Sequence, residues 1–295
     1  MRLTDGGLET SLIFHQGLDL PHFAAFPLVE SDDGRSALRT YWEPYLALAR
    51  ERRAGFVIDT VTWRANPDWA SRLGYDTDSL RAANDAAARF ARELAADVPK
   101  SVINGVVGPR GDGYVTGEEM RAEEATRYHT AQIAALAEAG ADQVTALTLT
   151  NAQEAIGFVR AATTVGVPSV VSFTVGTDGS LPSGQSLREA VEMVDDQTDH
   201  APSGFMINCA HPTHFEHALD DGAWLGRISG VRANASRMSH AELDAAEGLD
   251  DGDPTDLAEQ YRRLLPLLPG VHVLGGCCGT DHRHVRAISE ACLPA

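Results

Sequence analysis

The chain has 295 residues, 43% of them hydrophobic, and a formal net charge of −18. That acidity excludes nucleic acid as a partner, because a phosphate-binding surface needs clustered Lys and Arg. Asp5 and Glu9 interrupt any apolar N-terminal run and no long apolar span follows, so the expected protein is cytoplasmic, with neither leader nor membrane segment.

Apolar, β-rich runs alternate with helical patterns along the chain. A short strand at 3–4 leads into the turn Asp5-Gly6-Gly7. The spacing of Tyr41, Tyr45, Leu46, Leu48 and Ala49 predicts a helix over 36–53. A strand at 56–60 and a helix at 79–96 follow, then a strand at 102–107 ending at Gly108-Pro109. A long helix over 118–139 is stopped by Gly140, in the manner of a glycine cap. The fourth unit is a strand at 143–148 with a helix at 152–165, and the fifth a strand at 169–174 with a helix beginning at 187–195. A strand at 205–208 precedes a helix starting at Pro212, a favoured first-turn residue. Strand 227–233 is followed by a helix at 255–268 broken by Pro266, and strand 271–275 by a closing helix at 282–293. The acidic stretch 244–253 fits a loop insertion. Regular alternation implies a parallel sheet, and eight units imply closure. The expected fold is α/β, a single (β/α)8 TIM barrel occupying 1–295 as one domain.

In such barrels the active site lies at the C-terminal ends of the strands. Cys209 follows strand six, and Cys277-Cys278 follow strand eight, so three of the four cysteines fall on that face. In a reducing compartment, cysteines are metal ligands, catalytic groups or core filler more often than disulfides. Zinc takes thiolates in tetrahedral geometry and leaves one corner open at catalytic sites. The three thiols therefore read as a zinc site awaiting a substrate atom. Gly275, Gly276 and Gly279 offer dihedrals closed to other residues, which helps adjacent side chains reach one ion. The bland alternative is three buried cysteines in a tight turn, against which the adjacent pair at a strand end weighs. His211, His214 and His217 form a rival ligand set along a helix face, and His282 and His284 straddle a helix start. Cys292, in the last helix, reads as filler.

Asp5-Gly6-Gly7-Leu8-Glu9-Thr10, Ile207-Asn208-Cys209 and Gly275-Gly276-Cys277-Cys278-Gly279-Thr280 together resemble the homocysteine S-methyltransferase family. Gly108-Pro109, Glu138-Ala139-Gly140-Ala141-Asp142, Val171-Ser172-Phe173-Thr174 and Asp178-Gly179 add to the likeness, in order along the chain. The resemblance implies a zinc-bearing barrel with Cys209, Cys277 and Cys278 as ligands to Zn²⁺. It implies transfer of a methyl group from a sulfonium or quaternary ammonium donor to homocysteine, giving methionine. The partners are then a small-molecule thiol acceptor and a small-molecule donor. Asp5, Gly6 and Gly7 are expected to line the acceptor pocket with backbone groups, Asn234 to join them, and Asn208 to brace the Cys209 turn. Trp63, where the family carries an aromatic residue, is expected to offer a cation–π surface to the donor or to be a core or rim tryptophan. The thiol needs no general base, since coordination to zinc deprotonates it.

The pattern departs from the family at strand four. The usual Glu-Thr pair, whose carboxylate holds the amino group of homocysteine, is Leu147-Thr148 here. Leucine cannot pair with an ammonium. Either Glu9, Asp178 or another carboxylate has taken over, or the acceptor is a different thiol or selenol lacking that amino group. Arg237 stands where the family often has an acid, and the segment after Gly108-Pro109 is shorter than usual. A zinc hydrolase and a non-catalytic zinc barrel are the remote alternatives. Three thiolates make zinc a poor Lewis acid, and no Glu or His is placed as an evident base.

Overall fold

Short runs rich in Val, Ile and Phe give strands with residues buried on both faces, as parallel sheets require. In a computed structural model, which describes all residues except 99, 116, 118, 294 and 295, eight such strands close into a barrel in chain order. They are β1 (Arg2–Leu3), β2 (Gly55–Asp59), β3 (Val102–Val107), β4 (Gln143–Leu149), β5 (Ser169–Phe173), β6 (Gly204–Asn208), β7 (Ile228–Ala233) and β8 (Val273–Gly276). All pair in parallel, and the seam closes with Arg2 against Val273 and Leu3 against Leu274. The expected (β/α)8 architecture is therefore observed.

The outer ring is carried by eight helices: α1 (Asp32–Arg52), α2 (Thr77–Ala95), α3 (Ala122–Glu138), α4 (Ala152–Val165), α5 (Leu187–Gln197), α6 (Pro212–Phe215), α7 (Pro254–Leu264) and α8 (His282–Cys292). Side chains set their starts. Ser31, Asn151 and Asp281 each accept a backbone N–H in the first turn of α1, α4 and α8, which satisfies donors that the helix itself leaves open. Two expectations are revised. The helix after β3 begins at Ala122, so the described residues between 108 and 121 form a loop over the barrel mouth; position 118 of the expected helix lies outside the described residues. The helix at Pro212 ends after one turn and tightens into a 3₁₀ segment, Glu216–Ala218. No helix among the described residues is long and apolar enough to cross a membrane.

The barrel interior is polar just below its C-terminal face. Arg232 on β7 reaches across to Asp5 after β1 (2.6 Å) and to Asp59 on β2, and its Nε donates to the Gly276 carbonyl of β8 at 3.1 Å. Tyr41 of α1 donates to the other oxygen of Asp5 at 2.8 Å. Asn104 on β3 donates to Asp59 (2.6 Å) and accepts from Thr145 on β4 (2.7 Å). Five strands and the loop after β1 are thus tied by one network around a buried guanidinium. Replacing it strands two buried carboxylates, an uncompensated charge of the most expensive kind. Arg232→Leu is expected to lower stability by about 3–5 kcal/mol, read from urea unfolding curves of the two proteins.

Candidate metal centre

The three cysteines converge at the top of the barrel. Cys209 takes the first position beyond β6 in a left-handed conformation (φ 55°), uncommon for a non-glycine residue and frequent where function over-determines the backbone. Asn208, directly before it, holds that turn. Its side-chain oxygen accepts from the Thr148 N–H (3.0 Å) and the Ser172 hydroxyl (2.6 Å), and its amide donates to the Thr148 hydroxyl (2.8 Å). Thr148 is itself left-handed (φ 66°), so β4, β5 and β6 end in one braced corner. On the other side, the Cys277 N–H donates to the Ala233 carbonyl (2.8 Å) and the Ala235 N–H to the Cys278 carbonyl (3.1 Å), which locks the β8 turn to β7.

Glycines act here mainly by letting backbones meet. A Cβ on Gly7 would sit 2.7 Å from the Cys277 carbonyl oxygen, so only glycine lets the loop after β1 close on the cysteine turn. Of the three glycines around the pair, Gly279 alone takes a positive φ (77°). Gly275 and Gly276 leave room for Thr4 and Thr280 instead.

All three sulfurs lie within 4.8 Å of one another, with Cys209 and Cys278 3.6 Å apart. A zinc ion bound by thiolates at about 2.3 Å in a tetrahedron requires sulfurs about 3.8 Å apart, so the spacing fits. The protons tell the same story. Hydrogen bonds from Cys209 and Cys278 hold the Cys277 thiol well below its ordinary range, while donating to Cys277 pushes Cys209 up, and Cys278 is raised by both neighbours. A dication is what makes three thiolates compatible with burial. Among the described residues, these cysteines form the one group of three or more ligating side chains close enough for a metal.

The rival histidines disperse. His211 caps α6 through its own ring nitrogen, and burial pushes it down to about 4. His214 donates to the Arg237 carbonyl (2.8 Å) and His217 to the Asp178 carbonyl (3.1 Å). His284 is buried and serves the start of α8, while His282 is exposed. Cys292 is half-buried on α8, away from the cluster, with its thiol pushed up to about 11 by burial.

Two cavities meet at the sulfurs. The inner one, about 70 Å³, is walled by Asp5, Gly6, Gly7, Glu9, Leu147 and Thr148 and reaches all three cysteines. The outer one, about 390 Å³, opens above Cys278 and includes Phe14, Asn234, His240 and the insertion around Asp250. Phe23, Trp63, Tyr114 and Cys278 line both. Tyr114 comes from the loop after β3; its hydroxyl lies 3.1 Å from the Cys209 sulfur and 3.8 Å from that of Cys278. No feature of the sequence pointed to it, because the helix expected over 118–139 hid the length of that loop. Trp63 reaches the junction, but the Arg64 guanidinium already stacks on its ring at 4.0 Å and on Trp69 at 3.9 Å. Its indole N–H donates to the Leu147 carbonyl (3.2 Å). Asn234 stands in the outer cavity, donating to the Cys209 carbonyl (3.2 Å), rather than in the inner one. Asp178 is exposed and caps its own turn, outside both cavities, and Arg237 pairs with Asp256 at 2.5 Å.

A model of the homocysteine S-methyltransferase family matches residues 2–292. The chain belongs to this family. It is accordingly a methyltransferase, in a family that depends on zinc. Homocysteine S-methyltransferase 4 of Zea mays is 25% identical over 319 residues, covering 98% of this chain and 88% of that protein. Homocysteine S-methyltransferase 3 of Zea mays is 28% identical over 182 residues; that match covers 58% of this chain and 51% of the relative. The metallated homocysteine methyltransferase MmuM of Escherichia coli superposes with a TM-score of 0.73 at 20% identity, over 98% of this chain and 96% of that one. At that identity the likeness carries the fold.

Within this methyltransferase, the Asn208 corner fixes where Cys209 sits. Asn208→Ala leaves buried partners of β4 and β5 unsatisfied and is expected to cost about 1–3 kcal/mol, measured by chemical denaturation.

Proposed function

We propose that this protein is a zinc-dependent S-methyltransferase that moves a methyl group from a sulfonium or quaternary ammonium donor to homocysteine, giving methionine. The observation that carries the reading is three cysteine sulfurs within 4.8 Å at the junction of two cavities. Cys209, Cys277 and Cys278 would hold the ion, which when bound supplies the charge that keeps an acceptor thiol ionised at neutral pH.

The chain's own residues divide the remaining work. The inner cavity takes the acceptor: the Gly6-Gly7 backbone and Thr148 offer polar groups, while Leu147 and Val106 give an apolar wall. The outer cavity takes the donor. Phe14, Phe23 and Tyr114 contribute rings and Asp112, Asp244 and Asp250 contribute carboxylates, a lining suited to a cation. The methyl carbon then lies between the cavities, beside Cys278 and Tyr114. The acceptor sulfur forms the new S–C bond as the donor's bond to that carbon breaks, and the donor leaves as a neutral thioether or tertiary amine. No side chain has to take a proton in this step. Trp63, with its ring stacked against Arg64, supports the junction by holding the Leu147 backbone.

A second reading, methylation of a thiol or selenol without an α-amino group, is favoured by Leu147 alone. Mass spectrometry across a panel of donors and acceptors tests both. Methionine formed from homocysteine supports the first; transfer confined to simple thiols or selenols overturns it.

Elemental analysis is expected to find one zinc per chain, removed by strong chelators. Cys209→Ser, Cys277→Ser and Cys278→Ala are each expected to lose the ion and to lower methyl transfer by more than about 100-fold, since even outer-shell changes at metal sites reach that range. Cys292→Ser is expected to keep both. Full zinc and activity in Cys278→Ala would sink the assignment.

A further inference from the structure

The inner cavity contains three carboxylates, and two of them are already committed. Asp5 and Asp59 share the Arg232 guanidinium, and Asp5 also accepts from Tyr41. Glu9 is the third. It stands in the single turn Leu8–Thr10 that follows Gly6-Gly7, just before the widened π-helical turn Ser11–His15. No ion pair joins its side chain to any described residue. The guanidinium that lines the same cavity, Arg232, is held by Asp5 and Asp59, and Arg64, whose charge also acts on Glu9, is occupied elsewhere: it donates to the Gly111 and Asp112 carbonyls and is clamped between two tryptophan rings. Burial, with the charges of Cys277 and Asp5, pushes the Glu9 carboxyl up to about 7, against the pull of Arg64. A half-buried carboxylate that lines a cavity without a counter-charge is a poor structural element. It becomes a good one when a ligand brings the missing cation.

The acceptor named by the relatives brings one. Homocysteine carries an ammonium a short chain away from its sulfur, and that ammonium needs an anion once it leaves water. Leu147, which lines the same cavity, offers only apolar groups. We propose that Glu9 is the residue that selects an amino-acid thiol, receiving the acceptor's α-ammonium as an ion pair while the sulfur sits at the cysteine cluster. This rests on the methyltransferase reading above and specifies the substrate class that its inner cavity admits. The charge that recognises the substrate thus comes from the loop after β1 rather than from the end of β4.

The test compares two acceptors that differ only in the amino group, homocysteine and 4-mercaptobutanoate, by calorimetric titration into the zinc-loaded protein. The native protein is expected to bind homocysteine at least about 30-fold more tightly, the range seen when one partner of a desolvated charge pair is removed. Glu9→Gln, which keeps the shape and removes the charge, is expected to reduce that ratio to within about threefold. Thermal unfolding and zinc content establish that the variant is folded and loaded. A ratio unchanged in Glu9→Gln overturns the proposal. So does equal affinity of the native protein for the two thiols, an outcome that needs no variant. Parallel turnover assays with S-methylmethionine, S-adenosylmethionine and glycine betaine separate the two levels: no methyl transfer to either thiol overturns the methyltransferase reading, while the affinity ratio still decides the role of Glu9.

Discussion

The structure depends on a buried cation at the centre of the barrel. Arg232 is almost fully enclosed and bonded to side chains or carbonyls of residues on or beside β1, β2 and β8. Its partners are 227 and 173 residues away in sequence. An ion pair so placed adds little to stability relative to an apolar core, because desolvation offsets the attraction. Its contribution is positional. The Gly276 carbonyl that accepts from Arg232 directly precedes Cys277, and Asp5 directly precedes the Gly6-Gly7 turn that faces the cysteines. One guanidinium therefore sets the height of two loops on opposite sides of the barrel seam, and the cluster of sulfurs above inherits that alignment.

A second constraint works at the other edge of the site. Cys209 and Thr148 both hold left-handed backbone conformations, each costing roughly 1–3 kcal/mol if unsupported. Asn208 supports both, bonding across three strands. The strain turns the Cys209 side chain away from the strand direction and toward the β8 turn. Between the Arg232 network and the Asn208 corner, the sulfurs are brought together by polar groups, since an apolar core has no means of specifying a spacing of a few ångströms.

Much of this was legible in the sequence. The alternation of β-rich runs with amphipathic stretches gave eight units, and parallel pairing with closure followed, because the physics of buried strands and crossover helices leaves few other arrangements. The convergence of Cys209 with the Cys277-Cys278 pair followed from the same geometry, as all three stand just past strand ends. What escaped detection shares one cause: it lies in segments without periodicity. Tyr114 reaches the cavities from a loop, and Phe14 and Phe23 from short irregular turns, whose paths are set by tertiary contacts that leave no signal in the sequence of where a side chain points. The pairing of Arg64 with two tryptophans is likewise invisible in a linear reading, although it decides that the Trp63 ring is already covered on one face.

The two cavities also divide the site between strand ends and loops. The sulfurs and the Gly6-Gly7 turn sit at strand ends; much of the outer wall comes from the loop after β3 and the insertion before α7, the latter tied down by Ser236 to Asp250 (2.5 Å) and by His284 of α8 to the Asp251 carbonyl (2.8 Å). On the proposed reading, the reacting sulfur is governed by the strand ends and the donor by the loops. Recognition of the acceptor falls between them. Leu147 belongs to a barrel strand, where exchanging a charge for an apolar side chain keeps the wall packed, whereas Glu9 belongs to a single helical turn that can accept a carboxylate without disturbing the sheet. On that proposal, the charge that meets the acceptor's ammonium faces the inner cavity from the turn after β1.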